Sequence, residues 1–147
     1  MPLLSHLRFL EQRMTSIQHV PTLFEYYSAI HLTNQYQTPF YVYQDIPDNH
    51  KRYAGFPLRD KGVDLVNDTF QQVAQVKYYG KKSTLYYGNL STFLATPLLV
   101  GKPNLRMILI RTNVCRLSED IKKIIRRGDM KDITLCPHTF LQTLKMH

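Results

Sequence analysis

The hydrophobic and polar pattern divides the chain into alternating helical and extended stretches. Residues 1–19, with Leu3, Leu4, Leu7, Phe9 and Leu10 set among polar residues, predict a first helix of mixed character. Pro21 interrupts it. Thr22 to Gln37 predicts a second helix, with apolar or aromatic residues at Leu23, Phe24, Tyr27, Ile30 and Tyr36 and with Thr22 as N-cap. Pro39 ends that helix, and the following FYVYQ predicts a short strand. Residues 44–60 hold two prolines, a glycine and several turn formers, and predict a long loop. KGVDLVND then predicts a strand with Asp68 and Thr69 in the turn after it. QQVAQVKYY is the strongest strand pattern in the chain and forms a hairpin with its predecessor.

The remaining half alternates in the same way. Gly80–Gly88 predicts a basic loop bearing tyrosines, and Asn89 to Leu99 a helix kinked or stopped early at Pro97. RMILIR (residues 106–111) is a short apolar run of the kind found in a buried central strand. Leu117–Arg127 predicts an amphipathic helix whose KKIIRR end suits the negative pole of the helix dipole, with Gly128 at C′. KDITL predicts a last strand, and Pro137–Met146 a last helix. No internal repeat and no low-complexity segment interrupts the order α-α-β-β-β-α-β-α-β-α, which predicts a mixed α/β domain with helices covering a central sheet.

Composition narrows the class. The 147 residues suit one domain with one sizeable core, 44% hydrophobic and 20% charged, which is globular composition. No apolar run reaches membrane-span length, and the N-terminus lacks the pattern of a signal peptide. These readings give the expectation of an intracellular, non-secreted protein with no membrane partner. Cys115 and Cys136 form no CxxC motif and are expected to be free, buried thiols; the six scattered histidines suggest no zinc site. The net charge of +8 is uneven. Residues 1–75 carry six Lys/Arg against seven Asp/Glu, and residues 76–147 carry thirteen against four. A basic half joined to a neutral half holding acids suits a polyanionic partner.

The two middle strands carry the candidate chemistry. Gln75 and Lys77 share one side of their strand, because residues i and i+2 of a strand do. Asp64 lies opposite in phase to Val63 and Leu65 in the preceding strand. A lysine and an aspartate in mid-sheet are costly unless they pair or bind something. An ordinary structural role competes at each position. Thr22-x-x-Glu25 reads as a capping box, Asp64 as an acid paired with Lys61 or Lys77, and Lys77 as an edge-strand lysine that discourages aggregation.

Taken together, the residues are more specific. A strand with an acid (Gly62-Val63-Asp64), a hairpin, and a strand with Gln75-Val76-Lys77, preceded by a helix bearing Glu25, resemble the core of the PD-(D/E)XK nuclease superfamily. The helix glutamate and the Gln-x-Lys variant resemble its Mrr-like restriction-endonuclease branch, and the phrase from Asp60 to Tyr79 resembles nuclease-type domains attached to helicases of large DNA viruses. The resemblance spans about 90 residues, Pro21–Arg111. It implies a restriction-endonuclease-like fold, an αβββαβ core with a central mixed sheet flanked by helices. It divides residues 1–147, as one nuclease-like domain, into an N-terminal helical extension (1–20), a core (21–111) and a basic C-terminal part (112–147).

The activity implied is Mg²⁺- or Mn²⁺-dependent endonucleolytic hydrolysis of DNA. Phosphodiester hydrolysis needs extra negative charge stabilised and a water activated near neutral pH, and a divalent cation held by hard oxygen ligands supplies both. By the resemblance, Asp64 is the principal ligand, Gln75 and the carbonyl of Val76 add oxygens, Glu25 completes the set, and Lys77 orients the attacking water or stabilises developing charge. Gln75 is neutral where many members carry an acid. Asp60 is a minor candidate for a second contact. For the nucleic acid, Lys81 and Lys82 are candidates for phosphate contacts, while the neighbouring tyrosines are expected to pack on the sheet. Asn89 and Ser91, with Thr92, open a helix suited either to a phosphate or to ordinary capping. Lys122, Lys123, Arg126 and Arg127 form a second basic cluster, read either as a solvated face or as a backbone contact. Two other functions stay open: a catalytically silent DNA-binding module of the same fold, or a protein-docking domain of a larger replication or helicase protein. A homodimer and a helicase domain in a longer chain are the partners the resemblance adds. No GxxxxGK[ST] motif is present.

Overall fold

The computed structural model describes residues 2–59, 62–136, 139, 140 and 142. The elements run α1 (Leu3–Met14), α2 (Val20–Tyr36), β1 (Phe40–Val42), a 3₁₀ turn (Tyr43–Asp45), α3 (Asp48–Tyr53), β2 (Leu65–Asn67), β3 (Gln72–Lys77), β4 (Ser83–Leu85), α4 (Tyr87–Leu94), α5 (Thr96–Leu99), β5 (Arg106–Thr112), β6 (Cys115–Leu117), α6 (Glu119–Arg126) and β7 (Lys131–Leu135). The fold is mixed α/β, with a central mixed sheet between helices.

Five strands form that sheet in the order β1-β2-β3-β5-β7. β1 is antiparallel to β2 and β2 to β3, while β3, β5 and β7 run parallel. Parallel neighbours need crossovers, and these are made by the α4–α5 segment and by α6. Burial on both faces explains the near-continuous apolar run of β5. On one face Ala74, Val76, Ile108 and Ile110 pack under Phe24, Tyr26, Ala29 and Leu32 of α2 and Leu10 of α1. On the other, Val66, Val73 and Leu109 pack under Leu90 and Phe93 of α4 and Ile121 and Ile124 of α6. Polar residues therefore do not emerge on an open face of β3: Gln75 is itself buried, with 8% of its surface exposed. β3 is the middle strand, so an edge-strand role for Lys77 is also overturned.

Local differences from the sequence reading have local causes. α2 begins at Val20, with Pro21 in its first turn, where a missing N–H costs nothing. The N-cap is His19, whose Nδ1 meets the Thr22 hydroxyl at 2.8 Å. Thr22 is thus inside the helix, and the capping-box reading of Glu25 falls. Within 44–60, the expected loop holds the 3₁₀ turn and α3, led by Pro47 at the N-cap. The Gly80–Gly88 loop contains β4, which pairs in parallel with β6 in a separate two-stranded sheet. Leu117 therefore belongs to β6, and α6 starts at Glu119. The helix expected from Asn89 starts at Tyr87 and breaks before α5, which has Pro97 in its first turn. Most of the expected last helix lies outside the described residues, as do Asp60 and Lys61. Neither cysteine is in a disulfide; Cys115 is buried and Cys136 exposed, the latter against expectation. Among the described residues no helix is long and apolar enough to cross a membrane.

Candidate active site

β2 and β3 pair only over Leu65↔Ala74 and Val66↔Val73. Towards Asp64 the strands part, and the ladder gives way to a side chain. The Asp64 N–H donates to the Ala74 carbonyl at 2.9 Å, and the Val76 N–H donates to Asp64 Oδ2 at 2.7 Å. The Asp64 carboxylate thus lies against the backbone of β3 between Gln75 and Lys77. A carboxylate accepting a backbone N–H at this distance forms a charge-assisted bond, which fixes its orientation. The Asp64 carbonyl in turn accepts from Tyr43 N–H at 2.8 Å, tying the residue to the end of β1.

Asp64 opens onto a cleft of about 550 Å³. Glu25, in the second turn of α2, lines the same cleft, so helix acid and strand acid face one space. Gln75, Val76 and Lys77 are not among its walls; they join the site through the Val76–Asp64 bond. Gln75 Oε1 is buried and, among the described residues, has no hydrogen-bond partner. A buried acceptor left so is uncommon. Among the described residues no three His, Cys, Asp or Glu side chains sit close enough to hold a metal. Of the candidate ligands, the Asp64 and Glu25 carboxylates line the cleft, and carboxylate oxygens are donors a hard cation accepts; the Gln75 amide and the Val76 carbonyl are not among its walls.

Lys77 is half-buried and has no ion-pair partner among the described residues. Its register partner on β5 is Arg111, which is held by Asp132 of β7 through two bonds of 2.9 Å and also donates to the Cys115 carbonyl. Burial pushes the Cys115 thiol up, with the Lys77 and Arg111 charges opposing.

The structure adds cleft residues that the sequence pattern did not single out. Lys51 of α3 is buried with its ammonium 4.6 Å from the Tyr43 ring centroid and 3.3 Å from the Leu58 carbonyl. Arg59 and Asp48 also line the cleft. All three were hidden in the segment read as loop; the DNHKRY run after Pro47 was the available helix signal.

Of the proposed nucleic-acid contacts, Lys81 and Lys82 are exposed just beyond β3. Asn89 is the third residue of α4, and its Oδ1 accepts from the Tyr86 N–H at 2.9 Å; the Ser91 hydroxyl donates to the Gly88 carbonyl at 3.2 Å. Both side chains serve local turn structure. On α6, Lys122 and Arg126 meet Glu119 at 3.3 and 3.8 Å, and Arg127 meets Asp129 at 3.1 Å. Those exposed pairs describe a solvated face, with Lys123 alone of the four outside an ion pair among the described residues. Tyr78 and Tyr79 pack on the two faces of the sheet as expected. Tyr86 and Tyr87 do not; they are 61% and 48% exposed.

Comparison of the chain with protein-family models, with curated proteins and with solved structures returned no match.

Proposed function

We propose that the chain is a metal-dependent endodeoxyribonuclease of PD-(D/E)XK type, with residues 21–111 as its restriction-endonuclease-like core. The observation that carries this reading is the hydrogen bond from Val76 to Asp64. It joins an acid on one strand to the Gln75-Val76-Lys77 segment of the next at the rim of a cleft that Glu25 also lines. The order α2-β1-β2-β3-α4-β5, interrupted by α3, β4 and α5, with three antiparallel strands followed by a parallel one, supports the same reading.

The chemistry divides among the residues as follows. Asp64 and Glu25 would hold a divalent cation, with the Gln75 amide oxygen and the Val76 carbonyl as the further ligands that the resemblance implies. When bound, that ion supplies Lewis acidity to the phosphate and lowers the pKa of a coordinated water. Lys77 acts from the next position on β3, donating to the attacking water or to the phosphate oxygens as charge builds on them. The Arg111–Asp132 pair occupies the guanidinium beside it, whereas Lys77 has no ion-pair partner among the described residues. The cationic surface beyond β3 draws the phosphate backbone in without reading bases.

The test is cleavage of labelled single-stranded, duplex, flapped and four-way DNAs with Mg²⁺ or Mn²⁺ by wild type, Asp64→Ala and Lys77→Ala, each checked for folding by circular dichroism. Metal-dependent cutting that falls on the order of 10²–10³-fold or more in both folded variants is expected. Cutting that survives either substitution refutes the assignment. A chain that binds DNA with a steep salt dependence but cuts none of the four is instead a silent binding module of this fold, with the neutral Gln75 as the first residue to examine.

A further inference from the structure

From Thr69 to Ser118 the chain carries seven Lys/Arg and no Asp or Glu. Within that stretch the small β4–β6 sheet lies directly beyond the end of β3 that bears Lys77. Its inner positions, Leu85 and Cys115, are fully buried. Its outer positions alternate with them. Lys82, Thr84 and Tyr86 lie two residues apart, so extended backbone sets them on one side, and all three are exposed. The backbone of Tyr86 is still extended (φ −105°, ψ 160°) and is pinned by the 2.9 Å bond to Asn89. Arg116 pairs in register with Thr84 and is exposed as well, while Lys81 and Tyr87 flank the row. Among the described residues Lys81, Lys82 and Arg116 have no ion-pair partner.

An exposed tyrosine has an apolar face that water covers poorly, and two adjacent ones beside three unpaired cations are unusual on a surface meant only for solvent. Bases in a duplex keep their faces stacked on one another, whereas the bases of an unpaired strand offer theirs. Cations that follow the backbone and rings that take the bases are the two components of single-strand recognition. We infer that the outer side of the β4–β6 sheet, with Lys82, Tyr86 and Arg116 on it and the exposed Lys81 and Tyr87 at its ends, binds an unpaired DNA strand. This rests on the nuclease reading for its meaning: the substrate class becomes DNA with unpaired nucleotides beside the scissile phosphate, such as a flap or a single-stranded end.

Binding is measurable without cleavage, by fluorescence anisotropy in EDTA with a labelled oligo(dT) and a duplex of equal length. Wild type is expected to prefer the unpaired strand. The Tyr86→Ala/Tyr87→Ala double variant is expected to lose on the order of 10- to 100-fold affinity for it and little for the duplex. Phenylalanine at both positions keeps the ring and should keep the affinity. Lys81→Ala, Lys82→Ala and Arg116→Ala should each weaken both ligands and lower the salt slope by about one. Equal affinity of wild type for the two ligands, or an unchanged or ligand-independent effect of the tyrosine variant, overturns the inference, and tighter binding of an oligo(rU) strand overturns its assignment to DNA. The outcomes separate from those of the nuclease reading. Asp64-dependent cutting that ignores the tyrosines removes this inference alone, and tyrosine-dependent binding without any cutting removes the nuclease alone.

Discussion

Asp64 has two separable duties, and two substitutions pull them apart. Its carboxylate accepts the Val76 N–H at 2.7 Å, half-buried at the point where β2 leaves β3. Hydrogen bonds to a charged group contribute about 1.5–3 kcal/mol, and a neutral acceptor in the same place retains roughly half of that. Asp64→Asn keeps an oxygen that can accept from Val76, so its cost in stability is expected to be about 1 kcal/mol. Asp64→Ala removes the acceptor and leaves a backbone N–H in a site that water enters incompletely, for a loss of about 2 kcal/mol. For a chain of this size that is a fall of roughly 4–8 °C in Tm, against roughly 2–4 °C or less for the asparagine variant. Both are expected to lose cleavage alike, because the amide has no charge to offer a cation. Thermal melts by circular dichroism, run beside the cleavage assay, read both quantities. Retained cutting by Asp64→Asn would refute the ligand role. A Tm of Asp64→Ala equal to that of wild type would refute the structural bond on which the placement of the carboxylate depends.

Gln75→Glu puts a charge on the buried acceptor that has no partner among the described residues. Without metal it should destabilise the fold as pH rises above about 4.3, since a buried carboxyl is held neutral and ionises only at a cost. Millimolar Mg²⁺ or Mn²⁺ should raise its Tm more than that of wild type; equal shifts would place Gln75 outside the cation site. Gly62 has φ +90°, and a Cβ there would meet the Phe93 backbone nitrogen at 2.9 Å. Gly62→Ala should therefore cost about 2–5 kcal/mol from the left-handed conformation and the clash with α4 together, read by urea denaturation, and a neutral effect would show that the approach to α4 is loose. His6 is fully buried, and its Nε2 donates to the Phe40 carbonyl at 2.6 Å, a bond that fixes the neutral tautomer. Burial lowers its pKa from 6.5, with the Phe40 bond and Asp68 partly opposing. The unfolded chain then binds the proton first, so this contribution to stability is full above about pH 6.5 and is lost as pH falls through the lower folded value. His6→Gln should flatten the dependence of the urea midpoint between pH 5 and 7, and parallel curves for the two proteins would count against it.

The parts of the fold legible in the sequence are those whose signal is local. β5 announces itself as an apolar run, β3 and β7 as short segments bearing Val or Ile between polar residues, and the Asp68–Thr69 turn joins β2 to β3 within a few residues. α3 was hidden by Pro47, Gly55 and Pro57, which read as breakers but act as the N-cap and exit of a short helix. Pro21 misled in the same direction, since the first turn of a helix accepts proline; reading it as a stop made Thr22 a cap and Glu25 its partner. β4 and β6 could not be read at all. Each has three residues, and they pair in parallel across about thirty positions, a contact that no periodicity encodes. Missing that sheet hid the alternation that turns Lys82, Thr84 and Tyr86 outward.

The site shares this division between local and distant causes. Gln75 and Lys77 follow from the phase of β3, but their relation to Asp64 depends on where β2 stops pairing. Had the ladder continued, Val76 would donate to a backbone carbonyl of β2 and the Asp64 side chain would be free to turn to solvent. The strands part because Gly62, in a conformation that favours glycine, turns the chain towards Phe93 of α4, and because the Tyr43 N–H takes the Asp64 carbonyl. A side-chain carboxylate then replaces the missing strand. That replacement fixes the acid against the backbone of β3, the strand at which the sheet changes from antiparallel to parallel pairing.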